Sequence, residues 1–550
     1  MRKVSLFFAA LAMGVVGLSG VTAQDNVIKI ASQTPLSGPQ SSLGIGISNA
    51  TALAIEQLSG PIEELGFTVE YVPFDDEATP DKGVSNAQQI VSDAAILGVV
   101  GHLNSGVAIP SSEVYNSSDL VMVSPANTNP TVTDRGYATV NRVCGRDDKQ
   151  GPTGAQFAFD QGVTSVFVLD DTTAYGVGIS DFFESKAVEL GIEVLGRQGT
   201  AETANFDTII TPILSLEPDA IYFGGIYNQT GVFIAQARAA GYEGLYLSGD
   251  GSDSTVFAEL AGEAGIGTLL TSTAGPASLF PAAAQFIEDY TAANNAAPLT
   301  YGPEAYDSTG VILTAIANVL TANGGVMPTR AEVSAAVRAI NYDGLTGNIT
   351  FDGNGDRTIA TYYILEVKSG DPATYDATKE VIGTVELPSP LTEAAMMEMP
   401  DMSGMSIAEI VVAAASDTSA PEFTILLAAI GAADPAVLEN LSTGGPFTVF
   451  APTDAAFLAA IAEMGMEPAA LLADTELLTT VLMYHVIDGA VTSDMLSSMM
   501  ADTMQGGQLD IVVADDGSVT VNGANVVIAD IIASNGVIHV IDAVLMPATE

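Results

Sequence analysis

The chain has 550 residues, 48% of them hydrophobic, with 66 Asp plus Glu against 16 Lys plus Arg and a formal net charge of −50. That length exceeds what one core usually fills, so more than one domain is expected. A surface so poor in cations repels nucleic acid, heparin-like polymers and anionic headgroups, and nucleic-acid partners are excluded. After Lys379 there is no Lys or Arg at all, while the same stretch carries 24 acids.

Arg2 and Lys3 precede an uncharged apolar run from Val4 to about Val21, then Val21-Thr22-Ala23 and the first acid, Asp25. That order predicts a secretory signal peptide over 1–23, cleaved after Ala23, and a mature protein that is periplasmic or extracellular. No Cys stands at the cleavage point to carry a lipid. Cys144 is the only Cys, which excludes an intramolecular disulfide and predicts a lone buried thiol.

From Val27 onward, short β-branched runs alternate with longer amphipathic or Ala-rich stretches. Strands are predicted at 27–34, 67–74, 96–103 and 120–124, and again at 165–170, 192–196, 220–224, 245–248 and 268–273. Helices are predicted between them at 48–58, 83–92, 179–190, 206–216 and 230–240. Alternation of this kind makes parallel sheets covered by helices, and two series of strands fit two doubly wound lobes. Ligands of such folds bind beyond the carboxyl ends of the strands, which makes the residues there the candidates.

Asn104-Ser105-Gly106 opens a helix with a hydroxyl and free amides, a natural seat for a carboxylate. Ser124-Pro125-Ala126-Asn127-Thr128 adds further hydroxyl and N–H donors. Tyr175 follows the strand at 165–170, and Asp250 stands between two glycines after the strand at 245–248. Together they describe a receptor for a zwitterion, with the carboxylate on Ser105 and Thr128 and the ammonium on Asp250. Each has a plainer alternative: Ser105 and Thr128 as helix caps, Asp250 as a turn residue, Tyr175 as core.

Residues 27 to about 367 resemble the leucine/isoleucine/valine-binding protein family, the type I periplasmic binding proteins of ABC importers. The carrying stretches are Gly98-Val-Val-Gly-His-Leu103, Ser124-Pro-Ala126, Asp134-Arg-Gly-Tyr137, Gln150-Gly-Pro152, Ala174-Tyr-Gly176, Phe223-Gly-Gly225 and Ala235-Gln-Ala-Arg-Ala-Ala-Gly241. The resemblance implies that Ser105, Ala126, Thr128, Tyr175 and Asp250 contact a bound amino acid, which is captured by lobe closure for a membrane permease. The family more often has Glu at Asp250, and Tyr at Leu43 and Ile226. Tyr227, next to Ile226, joins the candidate ligand residues, and the aliphatic wall suits branched-chain solutes as well as small amides.

Nothing in this stretch looks catalytic, no cofactor motif occurs, and the protein is not expected to be an enzyme. His102 is expected to be a hydrogen-bonded structural group. The run Asp352-Gly-Asn-Gly-Asp356 starts like a calcium loop but has Tyr363 at the twelfth position, so a hairpin turn is expected.

The binding domain is set at 24–368, and residues 369–403 read as a Pro/Met-rich linker. Its Met396, Met399, Met402 and Met405, with Met397, fit a flexible apolar joint better than a Cu(I) site. From 404 to 550, predicted helices at 407–415, 423–430, 435–441 and 455–464 precede strands at 509–513, 518–521, 526–530 and 536–540, an α+β unit. This part resembles the fasciclin domain, carried by Phe447-Thr-Val-Phe-Ala-Pro-Thr-Asp-Ala-Ala-Phe457, Tyr484-His485 and Asn535-Gly-Val-Ile-His-Val-Ile-Asp-Ala-Val-Leu545. The resemblance implies adhesion to a matrix, cell-wall or cell-surface partner. His485 is expected to be buried and hydrogen-bonded, and His539 to lie in a strand. The sequence therefore describes either an importer's solute-binding component or an adhesive sensor using the lobes as a ligand-gated scaffold.

Overall fold

The computed structural model describes residues 26–392, 404–416, 423–463, 472–513 and 519–547. The expected signal peptide and Met396, Met397, Met399 and Met402 lie outside the described residues. The chain divides into two compact units, with the boundary between Glu393 and Ala394. No single described helix is long and apolar enough to cross a membrane.

In the first unit, β1 (Val27–Thr34), β2 (Thr68–Asp75), β3 (Ile96–Gly101), β4 (Val121–Ser124) and β5 (Val140–Arg142) form a parallel sheet in the order β2-β1-β3-β4-β5. Every residue of β3, β4 and β5 is buried; β3 and β4 accordingly read as unbroken apolar or small-residue runs rather than alternating ones, whereas β5 buries Val140, Asn141 and Arg142. A second parallel set contains β6 (Ser165–Asp170), β7 (Glu193–Gly199), β8 (Ala220–Gly224), β9 (Leu245–Ser248) and β10 (Leu269–Ser272). After a hairpin of β11 (Tyr342–Gly344) and β12 (Gly347–Ile349), β13 (Ile359–Glu366) and β14 (Glu380–Pro388) add to this sheet antiparallel. The full order is β14-β13-β10-β9-β8-β6-β7.

The helices Gly302–Ala322 and Arg330–Arg338 return to the first lobe, packing on the helix Ser41–Leu58 and on β3 and β4. The chain thus crosses between lobes three times: after β5, between β10 and Gly302, and before β13. A buried ionic cluster ties the first and last crossings. Asp356 accepts from Arg142 Nε at 2.6 Å, from Arg146 at 2.6 Å and from the Thr133 hydroxyl at 2.7 Å. Burial would raise the Asp356 carboxyl, but the two guanidiniums outweigh it and hold it below its usual range. The Arg142 amide donates to the Gly355 carbonyl. Gly355 has φ +93°, and a Cβ there would run into the Val140 carbonyl, so only glycine fits.

Two expectations change here. Two of the predicted helices begin earlier in the structure, at Ser41 and not 48 and at Ala174 and not 179, where Ser, Gly and Ala interrupt the apolar pattern that marks the rest of each helix. Residues 369–403, read as linker, contain the helix Tyr375–Thr378 and the nine-residue β14. Pro punctuation misled there, since Pro388 sits only at the strand's end, where it costs no ladder bond. The hairpin expectation at Asp352 matches: Phe351 bridges Arg357, and Asp352 accepts from the amides of Asn354, Gly355 and Asp356.

In the second unit, β15 (Phe447–Pro452), β16 (Val486–Asp488), β17 (Met499–Asp502), β18 (Gln508–Val513), β19 (Val519–Val521), β20 (Ala524–Ala533) and β21 (Gly536–Ile541) form one sheet, ordered β16-β15-β21-β20-β19-β18-β17. An Ile487–Thr503 bridge brings its two edges together, so the sheet is nearly closed. Asn535 accepts from the Ile407 amide and donates to the carbonyls of Leu441 and Gly444, joining three segments. Asp454 accepts from the amides of Thr424 and Ile425, capping a helix other than its own. His485 is buried, with Nδ1 2.7 Å from the Val481 carbonyl and Nε2 accepting from the Leu545 amide at 2.8 Å. Burial lowers its pKa to about 4. His539 lies in β21 as expected, stacked on Phe450.

Removing one partner of a buried ion pair leaves the other charge stranded. Asp356→Ala should therefore destabilise the first unit by about 3–5 kcal/mol at pH 7, read by chemical denaturation. Because the folded carboxyl is depressed, its contribution is complete above about pH 4 and is lost as pH falls below that. The gap between wild type and variant should narrow accordingly at pH 3.

Candidate functional site: a buried carboxylate between two lobes

Asp250 lies just past β9, fully buried, in a short turn flanked by Gly249 and Gly251. A Cβ at either glycine would collide with the Tyr175 ring or its hydroxyl, so the pair lets Tyr175 close over the carboxylate. Tyr175 donates to Asp250 Oδ1 at 2.7 Å, Gln150 Nε2 to the same oxygen at 3.0 Å, and Tyr301 to Oδ2 at 2.8 Å. Thr273 adds a longer contact of 3.4 Å. All four donors are neutral. Burial pushes the Asp250 carboxyl up, against the opposing pull of Tyr175, Tyr301 and Gln150. The carboxylate is positioned and hydrogen-bonded, and among the described residues no Lys, Arg or His forms an ion pair with it.

The first lobe presents Ser105 and Thr128, both buried. Ser105 is the first residue of the helix Ser105–Asn116, whose early amides have no partner within the helix. It is not the cap, a place taken by Asn104, and its hydroxyl accepts from the Asn129 amide at 3.3 Å. The Thr128 hydroxyl is buried without a hydrogen bond of normal geometry, and its carbonyl accepts from the Asp147 amide at 2.9 Å. Ala126 belongs to the same turn, its amide on the Ser124 hydroxyl. Asn129 donates across the cleft to the carbonyl of Ala174, next to Tyr175, at 2.7 Å.

The structure therefore brings Tyr175 and Asp250 into contact and sets Ser105, at its helix start, and the turn carrying Ala126 and Thr128 on the opposite lobe. Tyr227 is not among the hydrogen-bond donors to Asp250, which are Tyr175, Gln150, Tyr301 and Thr273. Its buried hydroxyl makes no hydrogen bond of normal geometry, yet the amides of Ser42 and Leu43 lie near enough to temper a burial-driven rise to about 12. Leu43 and Ile226 are both buried, and Ile226 lies against Gly251.

Gln150 and Tyr301 were not among the sequence candidates. Gln150 stood inside a quoted motif without a role, and Tyr301 is 51 residues from Asp250 and opens a helix in the left-handed region at φ +68°. Only a Tyr before a Gly-Pro helix start marked it. His102 is structural, as expected: it is buried, its Nδ1 lies 3.3 Å from Asp76 Oδ2, and its ring stacks on Tyr115. Cys144 is a buried free thiol beside the Asn127 carbonyl, its pKa driven up by burial.

Residues 27–372 match the periplasmic binding protein family, and residues 421–547 match the fasciclin domain. The chain belongs to the periplasmic binding protein family. It is 30% identical over 378 residues to the Leu/Ile/Val-binding protein homolog 2 of Brucella abortus, covering 68% of this chain and 99% of that one. It is 29% identical to a leucine-, isoleucine-, valine-, threonine- and alanine-binding protein of Pseudomonas aeruginosa, over 64% of this chain and 93% of the other. Among solved structures, a leucine-binding protein of Thermotoga maritima matches with a TM-score of 0.59 and 29% identity, over 65% of this chain and 98% of that chain. The first unit is a type I periplasmic binding protein fold, and a fasciclin domain follows it.

Tyr301→Phe removes one of the strong donors to Asp250 while keeping the ring. It should destabilise the unliganded first unit by about 1.5–3 kcal/mol, the usual contribution of a buried hydrogen bond to a charged group. Chemical denaturation of the two proteins would check it.

Proposed function

We propose that this protein is the extracytoplasmic solute-binding component of an ABC importer, capturing an aliphatic, branched-chain-type amino acid by closure of its two lobes. The observation that carries this reading is Asp250, a buried carboxylate held by neutral donors. A buried carboxylate without a cation is costly unless a ligand supplies one, and an amino acid's ammonium does so. The opposite lobe supplies what the other end of a zwitterion needs: the Ser105 and Thr128 hydroxyls and the amides of a helix N-terminus. Leu43 and Ile226 offer aliphatic surface for the side chain.

Transfer to a membrane permease and export by a signal peptide belong to the same reading, supported by the sequence and by the names of the relatives. The fasciclin domain would then hold the receptor near the cell surface through a matrix or cell-wall partner. With no Lys or Arg after Lys379, that contact must use acids, backbone, apolar groups or bridging cations.

A thermal-shift screen of the full chain against the amino acids should raise the melting temperature for aliphatic members, since a ligand that binds only the folded form stabilises it. In calorimetry, Asp250→Ala should abolish that binding with the fold intact; wild-type affinity in the variant would refute the zwitterion site. Removing residues 404–550 should leave ligand affinity unchanged and release the protein from cells into the medium. Unchanged localisation would refute the retention role.

A further inference from the structure

Lys379 is the last base in the chain, and it is buried. Its side chain is 4% exposed, and its Nζ lies 2.9 and 3.0 Å from the two oxygens of Asp253, itself 1% exposed. Asp376 approaches the same ammonium at 3.1 Å. Burial would lower the Lys379 pKa, but the charges of Asp253 and Asp376 outweigh it and raise it, so the side chain stays an ammonium. An ion pair taken this far out of water gains little net stability over apolar packing of the same size. Its use lies in what it directs.

Asp253 stands three residues after Asp250 and closes the same turn, its amide donating to the Asp250 carbonyl at 3.0 Å. Lys379 is one of three groups on its carboxylate. The Tyr375 hydroxyl donates to Oδ1 and the Thr300 hydroxyl to Oδ2, each at 2.9 Å. Thr300 precedes Tyr301, whose own hydroxyl donates to Asp250. Tyr301 is held at φ +68°, a left-handed conformation that a bulky residue keeps only where its surroundings fix it. The Thr300–Asp253 bond is such a fixture, since it ties the residue before Tyr301 to the end of the Asp250 turn.

The segment that brings Lys379 there lies beyond the family match, which ends at residue 372. It runs against the helix Thr255–Ala261, the first α-helix after the Asp250 turn. A Cβ at Gly370 would run into the backbone of Gly262 at that helix's end, and the short helix Tyr375–Thr378 packs on it. The Lys379 ammonium also sits 5.4 Å from the centre of the Tyr375 ring. We propose that Lys379 is a positioning residue for the solute site, acting through Asp253 to hold the Asp250 turn and the Thr300-Tyr301 segment together before a ligand arrives. The proposal rests on the amino-acid reading above and adds to it a side chain that touches no ligand. Without this clasp the groups around Asp250 must be ordered when a solute binds, and that ordering is subtracted from the binding free energy.

The test uses the full chain, L-leucine as the probe, and calorimetry at a temperature where chemical denaturation shows each protein to be folded. Lys379→Met should weaken L-leucine by about tenfold, the cost of ordering one or two side chains on binding. Thr300→Val keeps the side-chain shape and removes only the hydroxyl that reaches Asp253. It should weaken L-leucine by about three- to tenfold. The two together should bind no more than about twofold worse than Lys379→Met alone, because both act through one carboxylate. A lysine that only stabilises the fold would lower the denaturation midpoint and leave the affinity where it was.

Leucine affinity within about twofold of wild type in folded Lys379→Met would therefore overturn the inference. Losses that multiply in the double variant would overturn it as well, since the lysine would then act by a route other than Asp253. Where Lys379→Met does not fold, Thr300→Val decides: a weakened affinity upholds the inference and a wild-type one refutes it. Isoleucine and valine replace leucine as probes if leucine does not bind wild type. If no amino acid binds wild type, the amino-acid reading itself has failed; if wild type binds and the variants match it, only this inference has.

Discussion

Asp356 is the group on which the first unit turns. It is one buried carboxylate shared by Arg142, Arg146 and Thr133, at a point where the chain passes from one lobe to the other. Two lobes joined only by loops could rotate freely, and no ligand site between them would keep its geometry. Hydrogen-bonded guanidinium contacts cost desolvation, yet they hold direction in a way that apolar packing does not. The tight turn that carries Asp356 depends on Gly355 and on Asp352 gathering three successive amides. What first looked like the start of a calcium loop is the turn that aims this carboxylate.

The same economy of cations shapes the site. The whole sequence holds only 16 Lys plus Arg. In the binding unit several of these are committed to structural acids: Arg142 and Arg146 at the crossing, Lys379 on Asp253, and Arg197 on Asp170, Asp181 and Glu184. Asp250 is left to neutral hydroxyl and amide donors. Among the described residues no ion pair offsets its desolvation, an imbalance that the proposed ammonium contact would relieve. Gly249 and Gly251 serve it by letting Tyr175 seal the carboxylate from water.

Much of this was legible in the chain. Parallel strands buried on both faces read as apolar runs, and polar residues gathered where those runs stop, which singled out Ser105, Thr128, Tyr175 and Asp250. The antiparallel addition of β13 and β14 was not legible. Residues 380–388 carry Glu and Pro and look like linker until β13 pairs with them. β5 was missed for its three-residue length. In the second unit, the motif around Asn535 announced a domain, but its bonds to Ile407, Leu441 and Gly444 join segments about 90 to 130 residues away, a role no local pattern carries.

The sequence by itself determined the two-unit plan, the lobed α/β architecture with its α+β partner, and the residues at the strand ends. Those follow from hydrophobic periodicity and from residue chemistry at turns, both of which are local. Tertiary structure alone decided that Gln150 and Tyr301, 100 and 51 residues from Asp250, complete its cage. It alone buried Asp147, with the Thr128 hydroxyl near its carboxylate, and set the Tyr227 hydroxyl near the amides of Ser42 and Leu43. The physical reason is the same in each case: a carboxylate's environment is fixed by which distant segments are folded over it, and burial, not identity, decides what charge it must find.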